Sequence, residues 1–305
     1  MPTPASGEVS IRMRNVGICH SDVTLLGGDY IIPFGFPVVP GHEWTGEVLE
    51  VGTSVLKFKP GDRVVGECAV SDTAHFGFTM DGALSEVFLA STQWLHHLPE
   101  SINDTAGALV EPFTIAYRAT ANIDASDTVV VFGAGPIGLC AVASAAAQGA
   151  RVVIVEPQLN RHPIAMQLGA ELALDPSTNN VADEVAALTG LRGADLVIEG
   201  SGHPSAMAAA LELARFGGRV VYVGINPGAE VFAPLGLLVT KALRVQGNVG
   251  SAGIWPAALR FLERTGIDLA PMVSASFPLS QAVEALSAAN DRSTNIKVHI
   301  HGERL

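Results

Sequence analysis

The chain has 305 residues, of which 48% are hydrophobic and 32 are glycine, and its formal net charge is −12. This length is enough for two domains with separate cores, and the composition favours an α/β protein over a disordered or fibrous one. The acidic surface repels phosphate backbones, so we expect no nucleic-acid partner. No apolar run reaches the roughly 20 residues of a spanning helix, no signal peptide is recognisable and the three cysteines lie far apart, so we expect a cytoplasmic protein without membrane attachment.

The first part of the chain, up to about residue 110, has the pattern of a mostly β domain. Its segment TGEVLEVGTSVLKFKPGDRVVGE carries short β-branched runs that are broken by Gly, Pro and Asp. From about residue 120 the pattern changes. DTVVVFGAG predicts a strand buried on both faces, and PIGLCAVASAAAQG predicts a helix that ends at Gly149.

The remainder of the chain alternates strands with helices. ARVVIVE, ADLVIEG, GRVVYVG and ALRVQGN predict further strands, which indicates βαβ units and a parallel sheet. After about residue 251, WPAALRFLERTG and LSQAVEALSAAN predict amphipathic helices, and NIKVHI predicts a closing strand.

Three glycines in G-x-G-x-x-G spacing follow the first buried strand. Gly133 would allow a tight turn, Gly135 would let a pyrophosphate approach the backbone, and Gly138 would let helix and strand pack closely. The phosphates would lie on the N–H groups at the start of the helix, where Pro136 and Ile137 stand. The alternative is a glycine-rich connection without a ligand, but an acidic residue in the expected place favours a dinucleotide site.

That acidic residue is Glu156, at the end of the second strand and 18 residues after Gly138. A carboxylate there accepts hydrogen bonds from the adenosine ribose hydroxyls. It also repels a 2′-phosphate, by about 4 kcal/mol for like charges about 4 Å apart at an effective dielectric of roughly 20, and this predicts NAD over NADP. Arg161 argues the other way, because a guanidinium can pair with a 2′-phosphate. It could equally cover the adenine or lie in solvent.

Two short segments near the N-terminus, VGICHSDV and PVVPGHEWTG, place unusual polar side chains among apolar ones. Cys19 and His42 are ligands suited to zinc, and Glu43 adds a carboxylate beside the histidine. Glu111, in the apolar run ALVEPFTIAYRA, adds another carboxylate. Cys19, His42 and one or both of the glutamates predict a mixed metal site that leaves one position for water or substrate.

Two further residues of the first segment fit such a site. Asp22 is a suitable partner for fixing the tautomer and ring orientation of His42. Ser21 carries a short hydroxyl that can relay a proton. Taken singly, a buried cysteine is usually a small apolar residue and a glutamate a solvated charge, so the hypothesis depends on the combination.

The motifs GEVSIRMRNVGICHSD, PVVPGHEWTGEVLEVG, FKPGDRVVGE, DGALSEV, LVEPFTIAYRA, VVVFGAGPIGL and GGRVVYVG cover nearly the whole chain. They resemble the medium-chain dehydrogenase/reductase superfamily, and most of all its zinc-dependent sorbitol and polyol dehydrogenase branch. The resemblance implies an α/β fold with a doubly wound Rossmann domain, residues 116–251. It also implies a discontinuous, mostly β GroES-like catalytic domain, residues 1–115 and 252–305.

The same resemblance implies roles for the polar residues of the catalytic domain. Cys19, His42 and Glu43 match the catalytic zinc ligands, and Glu111 matches a carboxylate that ligates zinc directly or through water. Ser21 matches the proton-relay hydroxyl, so that it forms the expected catalytic set with the two glutamates. Simple alcohol dehydrogenases usually have cysteine in the last ligand position, and glutamate there favours the polyol branch.

Two further segments are assigned to the cofactor by this resemblance. QGNVGSAG, which contains Asn248, resembles the segment whose backbone holds the nicotinamide carboxamide; the alternative is a glycine-rich domain junction. Val223 lies in the motif GGRVVYVG. With the glycine loop, Glu156 and Arg161, they form the expected NAD site.

Three departures from the family pattern qualify the hypothesis. The cluster of four cysteines that binds a structural zinc is missing, which predicts one zinc per chain. The opening strands common in the family are not seen before GEVSIRMRN, and Thr24 stands where many relatives have a relay histidine.

We therefore expect an NAD-dependent, zinc-dependent dehydrogenase of a secondary alcohol, such as a polyol or cyclitol-like compound, in a homodimer or homotetramer. The alternatives are a zinc-free, NADPH-dependent quinone or enoyl reductase and a non-catalytic NAD-binding protein.

Overall fold

A computed structural model describes residues 1–28 and 34–302 of the chain. It divides into two compact units, one of Met1–Thr114 with Gly250–Leu305 and one of Ile115–Val249. The strands are β1 (Glu8–Ile18), β2 (Glu43–Val51), β3 (Arg63–Gly66), β4 (Val87–Ser91), β5 (Leu95–His97), β6 (Thr128–Phe132), β7 (Arg151–Val155), β8 (Leu172–Leu174), β9 (Ala194–Glu199), β10 (Ala214–Tyr222), β11 (Arg244–Gly247), β12 (Val273–Pro278) and β13 (Lys297–His301).

The helices connect these strands or precede them. They are α1 (His20–Leu26), α2 (Asp104–Gly107), α3 (Val110–Ala119), α4 (Pro136–Ala147), α5 (His162–Gln167), α6 (Val181–Thr189), α7 (Pro204–Leu213), α8 (Gly236–Thr240), α9 (Trp255–Thr265) and α10 (Ala282–Asn290), with short 3₁₀ turns at Thr92–Trp94, Leu159–Arg161, Ala270–Met272 and Leu279–Gln281. None of the helices in the described part of the chain has the length and apolar character needed to cross a membrane.

The sheet of the first unit has the strand order β12-β13-β1-β2-β3-β5, with β4 also paired to β1. Strand β1 pairs antiparallel with β2, β4 and β13. At the C-terminal end of β1, Gly17 lies opposite Glu43 of β2, and Ile18 lies opposite Val298 of β13. The end of β1, the start of β2 and the start of β13 therefore meet at one place in the sheet.

An aromatic cluster forms much of the core beside this sheet. The ring of Phe76 lies 5.9 Å from Trp44, 5.8 Å from Phe88 and 5.2 Å from Trp94, measured between centroids. Phe76 and Phe78 are fully buried, although both belong to the loop between β3 and β4 rather than to a strand. The loop is thus fixed by apolar packing, which is the largest favourable contribution that such side chains make to folding.

The second unit contains a six-stranded sheet in the order β11-β10-β9-β6-β7-β8, and all of its strand pairs are parallel. This is the doubly wound order of dinucleotide-binding folds, which confirms the α/β fold predicted from the sequence. The central strands β6 and β9 are buried along their whole length, because helices cover both faces of such a sheet. The first helix of the unit, α4, ends at Ala147, two residues before the predicted stop at Gly149.

Replacing Phe76 by alanine tests whether aromatic packing holds the β3–β4 loop. We expect Phe76→Ala to lower the free energy of unfolding by about 3–5 kcal/mol, because it opens a cavity among buried rings. Phe216→Ala is the control, since this ring is 70% exposed and its loss should change stability by less than about 0.5 kcal/mol. Urea unfolding followed by tryptophan fluorescence measures both. Equal effects of the two substitutions would contradict the assignment.

Candidate functional site

Three of the predicted metal ligands come together in the first unit. Cys19 is the N-cap of α1, while His42 and Glu43 stand at the start of β2. One possible ligand atom from each of the three lies within 4.8 Å of the others. The histidine and the glutamate are buried and the cysteine is partly exposed. Sulfur, imidazole nitrogen and carboxylate oxygen form a donor set that fits zinc, with the exposed side open to a further ligand.

The carboxylate of Asp22 joins the two segments that carry these ligands. Its Oδ2 accepts a hydrogen bond from the backbone N–H of Cys19 at 2.8 Å, and its Oδ1 lies 3.3 Å from Nδ1 of His42. The second contact is electrostatic, since Nδ1 has no well-aligned hydrogen bond among the described residues. Because Nδ1 faces Asp22, Nε2 is the nitrogen that remains for a metal ion.

The charges around His42 favour its protonated form when no metal is bound. Burial disfavours the imidazolium, but attraction to Asp22 outweighs it, and the pKa of His42 is raised well above its ordinary value. A metal ion at Nε2 would replace that proton, so metal binding and proton release are coupled at this residue.

A lysine from the other end of the chain holds Glu43. Nζ of Lys297 donates to Oε2 of Glu43 at 2.6 Å and to the carbonyl oxygen of Ile18 at 3.1 Å. Both charged side chains are only 2% exposed. Burial opposes the ammonium form, but attraction to Glu43 and Cys19 raises the pKa of Lys297 above its usual range. The sequence analysis missed this residue, and its only signal was a lysine inside the apolar strand NIKVHI.

Glu111 lies in the first turn of α3 and is not one of the three clustered ligands. Glu111 as a whole is partly exposed, yet its carboxyl group is buried. That burial raises the pKa of Glu111 to about 7, with attraction to His42 opposing the shift and repulsion from Glu43 adding to it. The charges of His42 and Glu43 thus act on the carboxyl group of Glu111, although it lies outside the group of three ligands.

The two hydroxyl residues of α1 differ in their hydrogen bonds. Ser21 is 6% exposed, and its Oγ has no hydrogen-bond partner among the described residues. Thr24 instead donates back to the helix, to the carbonyl oxygens of Ser21 at 3.1 Å and His20 at 3.4 Å. Ser21 is thus the hydroxyl with bonding capacity left for a substrate.

The segment after β3 was expected to lack a structural zinc site. Its one cysteine, Cys68, donates weakly to the carbonyl oxygen of Phe76 at 3.7 Å. Burial raises the pKa of Cys68 to about 12, so this thiol stays protonated. Within residues 1–28 and 34–302, the cluster of Cys19, His42 and Glu43 is the one group of three or more such side chains close enough to share an ion.

The glycine loop of the second unit has the geometry that a dinucleotide requires. Gly133 has a φ of +89°, which favours glycine. A Cβ on Gly138 would overlap the carbonyl oxygen of Gly133, so this position needs glycine for packing. A Cβ on Gly135 would meet nothing within 4 Å. Open space therefore lies beside Gly135, at the N-cap of α4, where Pro136 and Ile137 begin the helix.

Glu156 faces this loop. Its Oε2 accepts a hydrogen bond from the backbone N–H of Ala134 at 2.7 Å, and its Oε1 accepts one from Gln158 at 2.9 Å. The guanidinium of Arg161 lies 3.9 Å from the same carboxylate and 3.5 Å from the carbonyl oxygen of Ala134. Both side chains are largely buried. Glutamate and arginine thus form one pair beside the loop.

Val223 and Asn248 follow the carboxyl ends of β10 and β11. Val223 donates its N–H to the carbonyl oxygen of Glu199 at 2.8 Å, and the side chain of Asn248 donates to Ile115 at 2.9 Å. Both residues are buried. They lie at the same edge of the parallel sheet as the glycine loop, and ligands of open α/β sheets bind at that edge.

Comparisons with known proteins agree with this arrangement. The zinc-binding dehydrogenase family matches residues 136–264, and the alcohol dehydrogenase GroES-like domain matches residues 5–100. The chain is 31% identical to sorbitol dehydrogenase from Gallus gallus, over 98% of this chain and 90% of that protein.

Two solved structures are similar over nearly their full length. The structure of 2R,3R-butanediol dehydrogenase from Bacillus subtilis has a TM-score of 0.90 at 31% identity, covering 99% of this chain and 94% of that one. A zinc-binding dehydrogenase from Sinorhizobium meliloti 1021 bound to NADP has a TM-score of 0.90 at 28% identity, covering 98% and 93%.

The chain therefore belongs to the zinc-dependent alcohol and polyol dehydrogenases of the medium-chain dehydrogenase/reductase superfamily. It is an oxidoreductase that uses zinc and a nicotinamide cofactor on a small-molecule substrate. The Rossmann and GroES-like domains predicted from the sequence are confirmed as its fold.

Two glycine substitutions separate cofactor binding from folding. Gly135→Ala should change the free energy of unfolding by less than about 1 kcal/mol, because the added methyl group meets open space. It should weaken binding of NADH at least about tenfold, because the methyl group occupies the room that a pyrophosphate needs. Gly138→Ala should instead destabilise the protein by about 2 kcal/mol or more through overlap with the backbone. Calorimetric titration and urea unfolding measure the two effects, and undiminished NADH affinity in Gly135→Ala would refute the placement.

Proposed function

We propose that this chain oxidises a secondary alcohol of the polyol or cyclitol-like kind, with NAD as cofactor and one zinc ion per chain held by Cys19, His42 and Glu43. The observation that carries the proposal is the approach of three ligand atoms to within 4.8 Å in a chain of this family. Glu111 in place of the cysteine of simple alcohol dehydrogenases supports a polyol substrate. The relatives named for sorbitol and butanediol, both with more than one hydroxyl group, support it too.

Each residue around the cluster has a separate role in the proposed reaction. When bound, zinc polarises the substrate hydroxyl and lowers its pKa, and the nicotinamide accepts hydride. Asp22 orients His42 and fixes which nitrogen faces the metal. Ser21 relays the hydroxyl proton: its Oγ, which has no other partner among the described residues, accepts that proton while it releases its own. Thr24 is occupied by the helix backbone, so the proton passes from Ser21 to water.

Glu43 and Glu111 are the catalytic carboxylates of the proposal. Glu43 belongs to the cluster, whereas Glu111 is set back from it and has a pKa of about 7. We assign Glu43 to the resting ligand set, and Glu111 to an outer position from which it exchanges or holds a water molecule.

The packing of the β3–β4 loop supports the proposal of a single zinc ion per chain. Family members that hold a second, structural zinc use four close cysteines in this region, whereas here Cys68 stands alone and Phe76 and Phe78 fill the core. Apolar contacts supply the stability that metal ligation supplies elsewhere.

NAD rather than NADP is the proposed cofactor. The buried carboxylate of Glu156 is held beside the glycine loop by two backbone N–H groups, so its negative charge is fixed where a 2′-phosphate would lie. Arg161 is close to that carboxylate, which offsets part of the attraction that its guanidinium would offer to a phosphate. With Val223 and Asn248 at the same sheet edge, these residues complete the proposed cofactor site.

We also propose a homodimer or homotetramer in the cytoplasm. The four residues of β11 are all exposed, and this strand is the last one of the parallel sheet. Its outer edge presents unpaired backbone groups to which the same strand of a second copy can add. The three free cysteines suit a reducing compartment.

Alanine substitutions of the soft ligands test the metal role. Cys19→Ala and His42→Ala should reduce bound zinc from about one per chain to nearly none and lower turnover of polyols at least about a thousandfold, since the Lewis acid contributes several kcal/mol. NADH affinity should stay within about twofold, because the glycine loop is unchanged. Cys140→Ala, in α4 of the second unit, is the matched control that keeps its zinc. Full activity in Cys19→Ala protein stripped of metal would refute the proposal.

A charge substitution tests the cofactor. Glu156→Gln should shift the ratio of NADPH to NADH affinity toward NADPH by at least about tenfold, because it removes a fixed negative charge beside the ribose. The ratio is the measurement, since loss of the hydrogen bond from Ala134 can weaken both cofactors equally. An unchanged ratio in fluorescence titrations would rule out a selective role for this carboxylate.

A further inference from the structure

Lys297 is a buried lysine whose ammonium group contacts the segments that carry the proposed metal ligands. Its Nζ contacts the carbonyl oxygen of Ile18, the residue before Cys19, and the carboxylate of Glu43, the residue after His42. Both partners of the ion pair are almost completely buried, and the lysine stands 254 residues beyond the glutamate in sequence. A charged pair is withdrawn from water in this way only where its geometry is good, because each ion loses its hydration.

Gly17 contributes to the same arrangement. It lies opposite Glu43 in the β1–β2 register, and a Cβ at this position would stand 2.6 Å from Oε2 of Glu43. The missing side chain therefore makes room for the carboxylate at the place where Lys297 reaches it. His299, two residues along β13, is buried and neither of its ring nitrogens has a partner among the described residues. Of the basic side chains on β13, Lys297 is the one with a described ion pair to Glu43.

The ion pair changes what Glu43 can offer to a metal ion. One of its carboxylate oxygens is taken up by a charge-assisted hydrogen bond, which is stronger than a neutral one. The positive charge also cancels part of the attraction between the carboxylate and any cation in the cluster. A carboxylate shared in this way binds a metal ion less firmly than a free one.

We propose that Lys297 competes with zinc for the Glu43 carboxylate, and so keeps this ligand weak enough to exchange when substrate enters. The inference deepens the proposed function and rests on it. It makes Lys297 a positioning residue, which acts on the metal through Glu43 and touches no reacting atom. A lysine that merely supported the fold would have the opposite effect on zinc, because its loss would loosen the ligand segments and weaken binding.

Lys297→Met tests this competition, because methionine keeps the apolar length of the side chain and removes the charge. Zinc affinity is measured by competition with a chromophoric chelator, and polyol turnover is measured separately on fully loaded protein. We expect the dissociation constant for zinc to fall at least about tenfold and kcat to fall by a similar factor, since Glu43 is no longer shared. Lys297→Gln retains a hydrogen-bond donor without the charge. It should shift zinc affinity in the same direction, and it serves as the test if the methionine variant does not fold.

Lys241→Met is the matched control. This lysine also donates to two carbonyl oxygens, of Glu212 at 2.6 Å and Ala214 at 2.9 Å, but in the second unit. Its loss should leave zinc affinity within about twofold of the wild type. Unchanged or weaker zinc binding in Lys297→Met or Lys297→Gln overturns the proposal, as does full turnover in a variant that binds zinc more tightly. Wild-type protein that binds no zinc would instead overturn the proposed function.

Discussion

The hydrogen-bond ladders on the two sides of β1 bring Glu43 and the start of β13 to the end of this strand, where Cys19 follows. On one side the ladder sets Gly17 opposite Glu43, and on the other it sets Ile18 opposite Val298, next to Lys297. Cys19 follows immediately as the N-cap of α1. Because strand register is fixed wherever one face is buried, the positions of these groups are set by backbone pairing before any metal is present. A slip of one residue would turn Glu43 to the other face of the sheet.

Two buried ion pairs then balance the charges that this register brings together. Asp22 faces His42, and Lys297 faces Glu43. An uncompensated buried carboxylate is costly, and in each pair a basic side chain lies beside the acidic one. The two pairs differ in consequence. Asp22 faces Nδ1 of His42 and leaves Nε2 for a metal ion, whereas on our proposal Lys297 competes with the metal ion for Glu43.

The sequence predicted those parts of the protein whose chemistry is local. The sequence predicted the roles of Gly133 and Gly138 in the glycine loop, because the turn at Gly133 and the close contact at Gly138 depend only on neighbouring residues. The alternation of strands and helices was enough for the doubly wound sheet, with its helix boundary displaced by two residues at Gly149. Cys19, His42 and Glu43 were grouped from residue types and family resemblance, and the structure brings their ligand atoms together.

The sequence could not predict contacts that arise only when distant strands pair. Lys297 was overlooked because a single lysine in a short apolar strand carries no pattern, and its partner lies 254 residues away. Glu111 was grouped with the other ligands, but α3 holds it outside the cluster of three, and no spacing rule in the sequence encodes that difference.

The aromatic core beneath the β3–β4 loop bears on how the protein matures in a cell. Where a lobe is held by a metal ion, the chain must wait for that ion before it can finish folding. Here the rings of Phe76, Trp44 and their neighbours pack against one another beneath the loop, and this contact needs no metal ion. On the proposal of a single zinc ion per chain, zinc supply would set how much of the protein is active rather than how much of it is folded.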